Sequence, residues 1–169
     1  MIIPGLESET PPPEQVAAWW VLGLLETDRV PWWAAEWLVQ GWDGPALREL
    51  AGLGAEDARE IRDLMPSVLQ EVAVAPFATQ VEAAEACFRY LARLCLQGLV
   101  EERWVAWTVD RVLHAVSYVD EAYALPLSGA FGVDEVWDDG FSGSAIELRE
   151  LVRDACAAQL DAASEIGSG

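Results

Sequence analysis

Apolar residues recur every three to four positions along most of the chain, a spacing that predicts α-helices. The clearest stretch follows Thr79 and places Ala84, Phe88 and Leu91 on one side of a helix ending near Gln97. No window keeps the two-residue alternation of a half-buried strand. The pattern therefore predicts an all-α protein, a single compact domain of about six to seven helices.

Helix-start signals and glycine or proline positions set the expected boundaries. Thr79 with Glu82, and Ser144 with Glu147, have the spacing of a capping box, in which each residue of the pair hydrogen-bonds backbone near the other. We predict an extended N-terminal arm over 1–13, a helical domain over 14–163 and a flexible tail over 164–169. One long irregular loop, 125–143, is expected before the C-terminal helix.

Two helical stretches carry features that complicate the simple pattern. The first, 13–26, is apolar on nearly every side, which is typical of a central helix. A second, 55–74, contains Pro66, so we expect either a break there or two short helices. Nine Trp residues predict a Trp-rich core, although the pairs Trp19-Trp20 and Trp32-Trp33 could instead line an apolar ligand pocket between helices.

The charge balance is strongly acidic. Asp and Glu number 29 against ten basic residues, all of them Arg, and the formal net charge is −19. Lys and Asn, both encoded by AA-rich codons, are absent, which indicates a high-GC bacterial genome. A field of this sign repels nucleic acid and anionic membranes and favours a basic partner. The alternative is that it only keeps a Trp-rich protein in solution.

The cysteine pattern predicts free thiols in a reducing compartment. Cys87 and Cys95 are eight residues apart on one predicted helix, about 12 Å along its axis, which is too far for a disulfide. Cys156 has similarly apolar neighbours and is expected in the core. The first residues lack the basic segment of a signal peptide, and the longest apolar run, 16–25, is about half of a membrane span. We therefore predict a cytoplasmic protein.

The sequence contains few of the residues and motifs that enzymes use for catalysis. The chain has one histidine, His114, and no Lys, which excludes a P-loop lysine and Schiff-base chemistry. It has neither a nucleophile elbow of the G-x-S-x-G type nor a C-x-x-C pair. We predict a protein that is not an enzyme and needs no cofactor or metal.

The predicted helix over 101–123 has an unusual second side. Valines at 105, 109, 112, 116 and 119 share one arc, which we interpret as the core side. The opposite side collects residues of the types that concentrate binding energy in protein interfaces: Trp104, Trp107, Arg111, His114 and Tyr118. This side either binds a partner or packs on a neighbouring helix. His114 as a general base is a further alternative.

The irregular loop is the second candidate. Its carboxylates Asp134, Glu135, Asp138 and Asp139 surround Trp137, a combination that suits an Arg- or Lys-rich surface. A solvated loop pinned by its aromatic residues is the alternative. A calcium site is disfavoured, because the spacing lacks the alternating ligands and terminal Glu of an EF-hand.

These observations predict a non-catalytic acidic protein that occludes a basic protein partner, such as an immunity or inhibitor protein against a toxin. No direct binding to nucleic acid or membrane is expected. A helical protein that binds an apolar or aromatic small molecule is one alternative, and an oligomeric scaffold subunit is another.

Overall fold

The computed structural model describes residues 9–138 and 144–166, and within these ranges every regular element is helical. Two 3-10 turns cover Thr27–Arg29 and Pro126–Ala130. The described α-helices are α1 (Pro13–Val21), α2 (Val30–Val39), α3 (Pro45–Ala51), α4 (Ala58–Glu71), α5 (Gln80–Leu96), α6 (Glu102–Ala115), α7 (Asp120–Tyr123) and α8 (Ala145–Ile166). The all-α prediction is confirmed.

Helix α5 lies at the centre of the fold and packs against α1, α6 and α8. Its buried residues fall on more than one side, and several are small, so neighbouring helices can approach closely. Phe88 and Leu91 supply the bulk, with at most 2 % of either residue exposed. The centre of the core is therefore α5, whereas the sequence pattern had predicted the first helix.

The expected Trp-rich core is formed by three of the nine Trp residues. Trp19, Trp33 and Trp37 are buried, and the rings of Trp19 and Trp33 lie 5.9 Å apart. The Nε1 of Trp37 donates a hydrogen bond of 3.1 Å to the carbonyl of Pro11. This bond fixes the chain just before α1 against the end of α2.

Two helix boundaries differ from the sequence predictions. Helix α1 ends at Val21 rather than near residue 26, because Gly23 adopts φ +68° and Leu24 N–H bonds back to the carbonyl of Trp19 at 2.8 Å. Helix α4 continues through Pro66, so the predicted break is wrong. Burial of Ile61, Met65 and Val68 along one side of α4 holds the helix across the proline.

Both predicted capping boxes are present. Glu82 N–H donates to the hydroxyl of Thr79 at 3.1 Å, and the Glu82 carboxylate accepts from Ala78 N–H at 2.8 Å. At the start of α8, Ser144 N–H donates to the Glu147 carboxylate at 2.6 Å and Glu147 N–H donates to the Ser144 hydroxyl at 3.3 Å. These local signals set the starts of the two longest helices.

The cysteines are buried free thiols, as the sequence indicated. Burial raises the pKa of the Cys87 thiol to about 12, so this side chain stays protonated and unreactive at neutral pH. In the part of the chain that the structure describes, none of the helices combines the length and apolar character needed to cross a bilayer.

Candidate functional site

Helix α6 presents two chemically different sides, as its sequence pattern predicted. Val105, Val109 and Val112 are fully buried against the core. On the other side Trp107 is 40 % exposed, His114 is exposed and Arg111 is half-buried. Trp104 is half-buried and packs against the core cluster. The aromatic side of α6 is therefore largely a surface.

Helix α6 ends earlier than predicted, at Ala115. Ser117 and Tyr118 both adopt left-handed backbone conformations, with φ of 56° and 54°. Tyr118 N–H bonds to the carbonyl of Leu113 at 2.9 Å, which closes the helix end. Consecutive left-handed residues without glycine cost about 1–2 kcal/mol each, so neighbouring contacts must hold them. The predicted continuous helix over 101–123 is wrong, and the split adds the short helix α7.

Those neighbouring contacts come from an exposed aromatic cluster of Tyr118, Tyr123 and Phe131. The three rings lie 5.5–6.3 Å apart, and each residue is between 39 % and 44 % exposed. The Tyr118 hydroxyl also lies 3.3 Å from Nδ1 of His114. Tyr118 thus meets His114 although the two residues no longer share a helix.

The acidic turn 131–138 is fastened to α6. The Arg103 guanidinium bonds Asp134 at 2.8 Å and Asp138 at 2.9 Å, and these bonds raise the pKa of Arg103. Gly132 N–H donates to the Asp110 carboxylate at 3.1 Å. The two regions that the sequence singled out separately therefore form one surface.

Carboxylates outnumber cations on this surface. Desolvation raises the pKa of Asp110, and the nearby negative charges of Glu135 and Asp134 raise it further. Arg103 is engaged by Asp134 and Asp138, and the Arg111 guanidinium lies over the Trp107 ring at 4.8 Å from its centroid. A cation brought by a partner would relieve the mutual repulsion of these carboxylates.

Trp107 borders two open hollows of about 780 and 540 Å³. The larger also contacts Leu99 and Trp104, and the smaller contacts Asp110 and His114. Asp134 lines both. We call this region the Trp107 surface, and it comprises Arg103, Trp107, Asp110, Arg111, His114, Asp134, Glu135 and Asp138, with the aromatic cluster beside His114.

The other predicted site residues of the acidic loop are Glu135, Trp137 and Asp139. Glu135 is exposed on the acidic turn. Trp137 is half-buried and packs against the core cluster, so it anchors the turn from inside. Asp139 lies outside the described residues.

Sequence reasoning missed several members of this surface. Arg103 lies one helical turn before Trp107, a spacing that could have indicated it. Asp110 is adjacent to Arg111 in sequence, but its contact with Gly132 crosses 22 residues and has no local signal. Leu99, which lines the larger hollow beside this surface and is 46 % exposed, precedes α6 and carries no periodic pattern.

The chemistry available here suits binding. His114 is exposed and meets a tyrosine hydroxyl, and across the described residues no group of three or more His, Cys, Asp or Glu side chains is placed to hold a metal ion. Exposed aromatic rings supply apolar contact area, and the carboxylates around them select positive charge.

Comparison with known proteins finds no matching protein-family model, no similar curated protein and no similar solved structure.

Proposed function

We propose that this chain is a non-catalytic binding protein that occludes a basic protein partner through the Trp107 surface. One observation carries the proposal: a 40 % exposed tryptophan borders two hollows and is surrounded by carboxylates that outnumber the nearby arginines. Aromatic anchors of this kind dominate the affinity of protein interfaces, whereas the charged rim sets the association rate and partner choice.

An immunity or inhibitor protein against a toxin fits this arrangement. Toxins that attack nucleic acid need a cationic active site, since their substrate carries a dense negative charge. A protein with net charge −19 attracts such a partner over long range. The Trp107 surface would then fill the cationic cleft, with Trp107 as the central apolar contact.

Capture of proteins from a lysate of the source organism at low salt tests this proposal. The native chain is expected to retain one basic protein that is released as salt rises, because the screening length falls from about 30 Å at 0.01 M to about 8 Å at 0.15 M. The variant Asp134→Asn with Asp138→Asn is expected to associate about three- to tenfold more slowly with that protein.

The matched control is Asp43→Asn with Asp63→Asn. These carboxylates also pair with surface arginines, Arg48 and Arg59, and both double variants remove two negative charges from the chain. If both double variants slow association with the captured protein equally, the net charge of the whole chain sets the association rate and the Trp107 surface has no special role in it. Failure of the native chain to retain any basic protein would contradict the proposal.

A further inference from the structure

A second concavity lies away from the Trp107 surface, between α1, the later half of α4 and the segment that follows α4. Its volume is about 620 Å³, and eleven residues line it. Trp20, Leu69 and Phe77 are half-buried there, each packed against the core on one side. The groove therefore has an apolar floor that continues into the core.

The backbone after α4 builds one wall of this groove. Ala73 takes a left-handed conformation with φ 55°, and Val74 N–H bonds back to the carbonyl of Leu69 at 3.0 Å. This turn redirects the chain, so Val74 and Phe77 face the same hollow as Trp20. A non-glycine residue in this conformation costs about 1–2 kcal/mol, which the packing of this segment must offset.

The lining carries no charged side chain, and Gln70 supplies its only amide side chain. The chain has 29 acidic residues, so a surface groove lined by no charged side chain differs from the acidic character of the rest of the protein. The field of the whole protein disfavours an anionic ligand, and the groove holds no cation to compensate. The chemistry therefore selects an uncharged apolar molecule.

The dimensions favour a small molecule over a macromolecule. Ligand pockets commonly measure about 300–1,000 Å³, a range that includes this groove. A stable protein interface needs about 20–30 residues on each side, which is roughly twice the eleven that line it. A second copy of the chain or a partner helix would find too little contact here.

We propose that this groove binds one uncharged, apolar molecule of drug-like size. Its planar or aliphatic body packs between Trp20 and Phe77, and a single polar group reaches the side chain of Gln70. This binding is separate from the partner interaction of the Trp107 surface, and either function can exist without the other.

Two fluorescent probes that differ by one charge test the proposal. N-phenyl-1-naphthylamine is uncharged, and 8-anilinonaphthalene-1-sulfonate is the same aromatic body with a sulfonate. Titration of the folded native chain is expected to show saturable binding of one uncharged probe per molecule. The sulfonate probe is expected to bind at least about tenfold more weakly, because its charge meets a negative field and no cation.

A pair of exposed alanines supplies the variant and its control. Ala75 lines the groove and Ala78, three residues later on the same segment, does not. Ala75→Trp fills the hollow and is expected to weaken binding of the uncharged probe at least about tenfold, whereas Ala78→Trp leaves it within about twofold. Circular dichroism checks that both variants have the helix content of the native chain.

Several outcomes would overturn the proposal. One is absence of saturable binding, and another is binding of several probes per molecule. Equal affinity in the native chain and Ala75→Trp would place the probe elsewhere. A dimer in light scattering that Ala75→Trp dissociates would assign the groove to a second copy of the chain.

Discussion

Replacement of Trp37 by alanine is expected to lower the free energy of unfolding by about 3–5 kcal/mol. The Trp37 side chain is fully buried, and its removal leaves a cavity in the core beside α2. It also removes the hydrogen bond to the carbonyl of Pro11. Urea denaturation followed by circular dichroism measures the loss, and thermal unfolding should show a melting temperature lower by roughly 6–20 °C.

Trp42→Ala is the matched control for Trp37→Ala. Trp42 is 38 % exposed. Its backbone N–H donates a hydrogen bond to the carbonyl of Trp37, and the substitution retains this bond because it changes only the side chain. Its expected effect on stability is within about 0.5 kcal/mol. A loss below about 1 kcal/mol in Trp37→Ala would mean that this side chain does not hold the core as described.

Trp107→Ala is expected to weaken binding of the basic partner by at least about 2 kcal/mol, which is roughly a thirtyfold increase in Kd. The ring borders both hollows, so its removal takes away the apolar contact at the middle of the Trp107 surface. It also leaves Arg111 without the ring over which its guanidinium lies. Isothermal titration calorimetry with the captured protein measures the change.

Trp42→Ala again provides the control, because Trp42 and Trp107 differ by only two percentage points in exposure. Its Kd is expected to stay within about twofold of the native value. If both substitutions weaken binding equally, the effect comes from a general loss of aromatic surface. If neither weakens it, Trp107 is not the anchor of the interface.

Much of the fold could be predicted because its signals are local. The capping residues Thr79 and Ser144 are read directly from the sequence, and each starts a helix whose apolar period is sustained. Periodicity also separated the buried valines of α6 from its aromatic side, but it left open whether that second side was surface or core. These features depend on residues within one or two turns of each other.

The errors occurred where distant contacts override local preference. Val116 and Val119 continue the apolar period of α6, and no glycine or proline marks Ser117 and Tyr118 as a helix end. The left-handed turn there is held by contacts that include Phe131, thirteen residues after Tyr118. Pro66 is the opposite case, since a strong local signal for a break is overridden by burial of one side of α4.

The two regions of the candidate site could be predicted from the sequence, but their contact with each other could not. The aromatic side of α6 and the acidic turn were identified separately, but the ion pairs from Arg103 that join them span 31 and 35 residues. The groove at Trp20 had only a partial signal. The sequence suggested an apolar pocket near the Trp pairs, whereas Trp19 and Trp33 are core residues and Phe77 supplies the opposite wall.

Hydroxyl-radical labelling of the tryptophans tests the central claim most directly. Trp32, Trp42 and Trp107 are 37 %, 38 % and 40 % exposed, so the free protein should label all three to similar extents. In complex with the captured basic protein, labelling of Trp107 is expected to fall severalfold, because anchor residues are fully desolvated, while Trp32 and Trp42 keep their values. Unchanged labelling of Trp107 in the complex would contradict the account and place the partner on another surface.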